Sequence, residues 1–185
     1  MRDLKDKVAV ITGGGGGIGR ALALAFATEG MHISLADVEE EALAAVASEV
    51  TNLGVRCSTS VIDVTDLESM QAFADKVFNE LGGAHVICNN AGVVTMKKAQ
   101  DMSASDWDWV VGVNLYGVIN GIQAFLPKMV EQDAGGHIVN TASIAGLVPE
   151  ATPGIISYTA SKYGVIGLTE SMRLDLEQYN IGCSV

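Results

Sequence analysis

Short runs of β-branched and aliphatic residues alternate with longer helix-patterned segments along almost all of this 185-residue chain. Val8–Thr12, His32–Ala36, Val55–Ile62, His85–Cys88 and His137–Thr141 read as strands, and Ile181–Val185 as the start of a sixth. Helical patterning covers Ile18–Glu29 and Glu39–Leu53, stopped by Gly30 and Gly54. Thr65-x-x-Glu68 reads as a capping box for a helix running to about Leu81. Ser103 opens another helix, which continues through Val113 and, after a break near Asn114, to about Glu131. Ser157–Asn180 reads as one long helix. Near-continuous apolar strands separated by helices imply a parallel sheet covered on both faces. Right-handed crossovers then give a doubly wound α/β fold. There is no internal repeat or linker, so a single domain over residues 1–185 is expected. Ile181–Val185 has the character of a buried half-strand, and the natural chain is expected to continue past Val185.

Composition narrows the function. Hydrophobic residues make up 49% and charged residues 18%, as in folded globular domains. The net charge of −11 repels nucleic acid, and the one adjacent basic pair, Lys97-Lys98, reads as a solvated loop. No apolar run is read as reaching the roughly 18 residues of a membrane span. No signal-like segment precedes Val8, so a cytoplasmic protein without a membrane partner is expected. Cys57, Cys88 and Cys183 are odd in number and widely spaced, as reduced thiols are. His32, His85 and His137 each enter an apolar run without a second ligand at metal spacing, and are read as structural.

Five consecutive glycines, Gly13–Gly17, join the first strand to the first helix. A helix N-terminus offers free N–H groups and partial positive charge to a phosphate, provided no side chain blocks the approach. Two frames fit the run: Gly14-x-Gly16-x-x-Gly19, and Thr12-Gly13 followed by Gly17-Ile18-Gly19. No Gly-Lys-Ser/Thr follows, which excludes a Walker-type phosphate loop. Asp37 stands at the end of the second strand, 18 residues after Gly19. A carboxylate there accepts hydrogen bonds from a ribose and repels a 2′-phosphate, and Val38 follows rather than an arginine. This favours NAD over NADP on a Rossmann-type scaffold.

Further polar residues fall at strand ends and helix starts. Asn89-Asn90-Ala91-Gly92 follows the fourth strand, Asn114 interrupts an apolar helix, and Ser143 follows the fifth strand. Tyr158 and Lys162 are four apart, on one face of the long helix. Taken in order, TGGGGGIG (12–19), Asp37, Asp63-Val64, NNAG (89–92), Asn114, Ser143 and YTASK (158–162) resemble the short-chain dehydrogenase/reductase family over essentially the whole chain.

The chemistry of such a site needs a proton donor or acceptor beside the nicotinamide. A free tyrosine titrates near ~10, and a neighbouring ammonium favours its phenolate. The resemblance implies Tyr158 as general acid/base, Lys162 lowering its pKa and holding the nicotinamide ribose, Ser143 polarising the substrate oxygen, and Asn114 ordering a relay water. It implies cofactor contacts from Gly13, Gly17, Ile18, Gly19, Asp37, Val38, Asp63, Val64, Asn90, Ala91 and Gly92, with Gly14–Gly16 as variable interior. Asn89 is read as tying strands together, and Trp107 and Trp109 as packing residues.

The implied activity is interconversion of a secondary alcohol and a ketone with NAD, in a homodimer or homotetramer built on the helix of about 115–131 and the Tyr158 helix. Ala160, Gly164 and Gly167 would allow close helix approach. Two other readings stay open: a catalytically silent NAD-binding or scaffolding module, and an NADP-dependent 3-oxoacyl reductase-like enzyme. The Ser143–Tyr158 spacing is longer than the family's usual one, and the intervening loop carries Pro149 and Pro153. Val93, Val94, Met96, Ala145, Leu147 and Ile155 suggest an apolar substrate lining.

Overall fold

The computed structural model describes residues 3–148 and 153–185. Pro149, in the loop before Tyr158, lies outside them, and Pro153 lies within. Strands β1 (Val8–Thr12), β2 (His32–Asp37), β3 (Cys57–Val61), β4 (Val86–Asn89), β5 (Gly136–Asn140) and β6 (Ile181–Ser184) form one sheet in the order β3-β2-β1-β4-β5-β6. Every pairing is parallel, with Val10 opposite Ser34 on one side and Ile87 on the other. The doubly wound reading holds.

Side chains alternate across the sheet, and each set meets its own helices. Ala9, Ile11, Ile33, Leu35, Val86 and Cys88 pack against α1 (Gly17–Thr28) and α2 (Glu40–Asn52), through Ala23, Ala27, Leu43, Val46 and Val50. Val8, Val10, Ile87 and Ile138 face α3 (Leu67–Leu81), α5 (Gly117–Gln132) and α6 (Ile156–Leu176). Phe73 and Phe125 meet edge to face there, with ring centres 5.5 Å apart.

Local chemistry shifts some expected boundaries. Asp66, not Thr65, caps α3: its Oδ1 accepts the Glu68 N–H at 3.0 Å and its other oxygen binds the Ser69 hydroxyl. A carboxylate is favoured at the positive end of a helix, and it displaces the threonine. Ser103 does cap α4 (Ala104–Val111), in a box with Asp106, whose Oδ2 accepts the Ser103 N–H at 2.9 Å. Lys97 is not a free loop cation, since its Nζ lies 2.7 Å from the Asp106 carboxylate. Lys97 and Ser103 together hold that carboxyl down to about 2.

Between α4 and α5, residues Gly112–Tyr116 form a π-helical turn, which is the break expected near Asn114. The stretch Ala104–Gln132 is long and apolar enough to cross a membrane by length and composition, so the reading that no run reaches that size is corrected. In this fold its apolar side chains Val110, Val118, Ala124, Phe125 and Met129 are buried in the protein.

Polar groups tie the layers together. Asn89 Nδ2 donates to Asn140 Oδ1 at 2.8 Å, and Asn140 Nδ2 donates to Thr169 Oγ1 at 2.9 Å, linking β4, β5 and α6. His85 Nδ1 accepts the Val8 N–H at 3.1 Å and His32 Nδ1 accepts the Arg56 N–H at 3.2 Å. His137 Nε2 pairs with the Ser184 hydroxyl at 2.9 Å. Burial pushes all three histidines below their ordinary range. It lifts the Cys57 thiol to about 11 and that of Cys88 to about 12.

Two glycines on exposed and buried helix flanks give opposed predictions. A Cβ on Gly121 of α5 would fall 2.0 Å from Asn89 Oδ1, whereas one on Gly167 of α6 meets nothing within 4 Å. Gly121→Ala should lose about 1–3 kcal/mol through overpacking. Gly167→Ala should gain about 0.5–1 kcal/mol from helix propensity. Urea unfolding of the two variants beside the wild type measures both signs.

Candidate active site

The crevice begins where the winding reverses. The chain leaves β1 through α1 toward β2, and leaves β4 through α4 and α5 toward β5, on opposite faces. Connections that part in this way open a cleft at the carboxyl ends of β1 and β4. Thr12 bridges the two ends. Its hydroxyl accepts the N–H groups of Asn90 and Ala91 at 3.0 and 3.1 Å, and Asn90 Nδ2 donates back to the Thr12 carbonyl at 3.1 Å.

The glycine turn closes tightly on this bridge. Gly13 has φ +65°, and a Cβ there would fall 2.9 Å from Ala91 Cα. One on Gly19 would fall 2.0 Å from the Gly13 carbonyl oxygen. Gly14 and Gly15, read from sequence as free to vary, are also confined: a Cβ on either would come within 3.0 Å of Leu35 or of Ala42 and Asp37. Gly16 and Gly17 face open space at the N-terminus of α1, where no side chain caps the helix. That leaves bare N–H groups and positive helix charge for an anion.

A cavity of about 1330 Å3 runs from this turn across the strand ends. At one end stand Asp37, the last residue of β2, and Val38, with Ile62, Asp63, Val64 and Thr65 after β3. Asn90, Ala91 and Gly92 form the middle, and Thr141, Ala142, Tyr158 and Lys162 the other end. Asp37 is fixed by three backbone donors: Gly15 N–H at 2.9 Å on Oδ2, and Val38 and Glu39 N–H at 2.8 and 3.2 Å on Oδ1. Among the described residues no arginine lines the cavity. Ile18 is 62% exposed at the lip, Asp63 Oδ1 accepts the Thr65 N–H at 2.9 Å, and the buried Val64 offers its carbonyl to Asn120.

Lys162 is almost fully buried. Its Nζ donates to the Thr141 carbonyl at 2.6 Å and lies 5.6 Å from the centre of the Tyr158 ring. Burial draws the ammonium down to about 8. Gly92 keeps the space beside it clear, with a notional Cβ 3.8 Å from Lys162 Nζ and 3.4 Å from Asn114 Oδ1.

Asn114 is buried in the π turn and does not line the cavity. Its amide clamps Val93, accepting the N–H at 2.7 Å and donating to the carbonyl at 2.9 Å, and it reaches Ser161 Oγ at 3.2 Å. Ser143 is one residue beyond the wall formed by Ala142, and its hydroxyl accepts the Ala145 N–H at 3.2 Å. The turn that Ser143 opens packs on α6, where a Cβ on Gly146 would fall 2.9 Å from the Lys162 carbonyl. Of the six apolar residues singled out in the sequence, Val93 and Val94 line the cavity, Ala145 and Ile155 are buried, and Met96 and Leu147 are exposed.

Sequence reasoning passed over Asp108, Trp109, Gly112 and Val113, which also line the cavity. Their i, i+4 spacing ahead of Asn114 was the available signal. Trp109, read as a packing residue, is 51% exposed.

Bare N–H groups at a helix start, a fixed carboxylate at the neighbouring strand end and a cleft reaching the Tyr–Lys pair suit a dinucleotide. The architecture is that of the dinucleotide-binding oxidoreductases. The family model for short chain dehydrogenase matches residues 7–185, and the chain belongs to that family. It is 39% identical to a C alpha-dehydrogenase from Sphingobium sp. strain SYK-6 over 186 residues, covering 100% of this chain and 60% of that protein. It is 38% identical to a 3-oxoacyl-[acyl-carrier-protein] reductase from Thermotoga maritima, covering 96% and 71% respectively. A crystal structure of a short-chain dehydrogenase/reductase from Burkholderia phymatum in complex with NAD superposes with a TM-score of 0.95 at 42% identity, covering 100% of this chain and 66% of that one. The chain thus spans about 60% of the length of the Sphingobium relative.

Lys162 makes the site costly to the fold. Its folded value of about 8 lies below the ordinary 10.5, so the folded chain holds the proton less well than the unfolded one. The penalty is complete below pH 8, falls as pH rises from about 8 to 10.5, and is gone above that. Lys162→Met should therefore raise stability at pH 7 by about 1–2 kcal/mol after losing the hydrogen bond to Thr141. The gain should shrink toward pH 10, as measured by urea unfolding at both pH values.

Proposed function

We propose that the protein is an NAD-dependent oxidoreductase interconverting a secondary alcohol and a ketone, with Tyr158 as general acid/base. The observation that carries this is the buried Lys162 beside Tyr158 at the end of the cavity opposite Asp37. When bound, NAD supplies the hydride acceptor or donor. Gly13, Gly16 and the α1 N-terminus hold its pyrophosphate, Asp37 with Val38 its adenosine ribose, and Asn90, Ala91 and Gly92 its length.

Tyr158 takes the proton of the substrate hydroxyl, with Lys162 Nζ 5.6 Å from the centre of its ring. In the reverse direction the phenol returns it to the ketone oxygen. The Ser143 hydroxyl accepts from Ala145 and keeps its own proton for the substrate oxygen. Asn114 holds Val93 with its amide, and we assign the relay water to the backbone of the π turn around it.

Asp37 and the absence of a lining arginine among the described residues support NAD over NADP. Val93 and Val94 on the wall support an apolar alcohol rather than a polyol. Exposed Tyr116, just before α5, and exposed Tyr163 on α6 support pairing of these helices between copies.

Tyr158→Phe should cut turnover at least ~100-fold while leaving the NAD Kd within about twofold. Steady-state kinetics on a panel of apolar secondary alcohols, with calorimetry of NAD binding, reads both; full activity in the variant would sink the mechanism. Asp37→Ala should reduce the NAD-over-NADP preference by about tenfold, the loss of one charged hydrogen bond. Tighter NADP than NAD binding by the wild type would refute the carboxylate argument.

A further inference from the structure

Trp109 occupies a wall of the cavity without an assigned task. α4 runs directly into the π turn. Trp109 lies one helical turn before Val113 and three residues before Gly112, so the three share a flank. That flank faces the loop after β3: a Cβ on Gly112 would stand 3.5 Å from Thr65 Cγ2. Trp109, Asp63 and Thr65 border the same cavity, and Asp63 and Thr65 follow β3, the sheet edge remote from β5 and the Tyr158–Lys162 helix. The indole is half exposed there rather than packed away.

A dinucleotide with its nicotinamide at Tyr158 must place its second base at this remote end. We propose that Trp109 forms the outer wall of the adenine site, its ring against the face or edge of the base, while the Asp63–Thr65 loop borders it from the sheet side. The inference rests on the NAD reading above. A flat π surface suits a purine, and stacking on an aromatic ring adds affinity without hydrogen bonding. Trp107, two residues earlier, does not border this cavity and lines a separate hollow with Val111 and Tyr116.

The chain contains only two tryptophans, so fluorescence can separate them. Trp107→Phe leaves Trp109 as the sole indole, and Trp109→Phe leaves Trp107. AMP should quench the first protein saturably and leave the second unchanged. Nicotinamide mononucleotide should quench neither. Trp109→Ala should raise the NAD Kd about fivefold to tenfold by calorimetry, with Trp109→Phe in between. The spectral test does not depend on the alanine variant folding.

Three results overturn the inference. AMP binding without change in Trp109 emission, together with a wild-type Kd in the alanine variant, removes Trp109 from the adenine site. Quenching by nicotinamide mononucleotide instead of AMP moves it to the other end of the cleft. A wild type that binds neither NAD nor AMP defeats the cofactor reading itself, and this inference with it.

Discussion

One hydroxyl group holds the cleft in shape. Thr12 takes the two backbone N–H groups with which the chain leaves β4. Those groups have no strand to bond, because the connections from β1 and β4 part in opposite directions, and buried N–H groups must find partners. Satisfying them from Thr12 fixes the separation of the two strand exits. The positive φ at Gly13, the contact of Gly19 with its carbonyl and the seat of Asp37 on Gly15 all follow from that fixed point. The cofactor end and the Tyr158 end of the cavity share one rigid floor as a result.

The sheet was readable because parallel strands are buried on both faces and so carry unbroken apolar runs. β1 and the start of β2 fall on the expected residues, and the others differ from expectation by one or two at an end, where propensity says least. What escaped the sequence was decided by partners far along the chain. Gly14 is confined by Leu35 of β2, and nothing in a run of five glycines reveals which neighbour each will meet. Asp66 and Thr65 are both good caps, and tertiary geometry chose between them. The residues named for the site line one cleft with the exceptions of Asn114, whose amide holds Val93, of Ser143, which follows the lining residue Ala142, and of Gly17 and Gly19 in the turn. Trp109, on the helix after Ser103, reads as a packing residue in sequence, and only the fold shows it half exposed on the cavity wall.

The interior is more polar than a stable scaffold requires. Asn89, Asn140 and Thr169 pass one chain of hydrogen bonds through the sheet into α6, and Lys162 sits in the same helix two turns earlier. Such networks fix one arrangement of the layers, since a shift would strand buried donors. Asn89 Oδ1 on β4 and Ser157 Oγ in the first turn of α6 are buried without a hydrogen-bond partner among the described residues. Apolar replacements would pack as well and hold the helix less definitely.

The π turn at Gly112–Tyr116 divides one long helix into two phases. A helix advances about 100° per residue, so one residue of widening rotates everything before it by that angle relative to everything after. Val118, Phe125 and Met129 can then point into the core while Trp109 and Val113 turn toward the cleft. Loss of a single residue from this turn would leave an uninterrupted helix, equally apolar and equally able to seat α5, but with its upper half facing elsewhere. The binding wall is thus separable from the packing helix by the smallest change a gene can make in frame, and relatives that differ by one residue here would share a core while presenting different surfaces to what they bind.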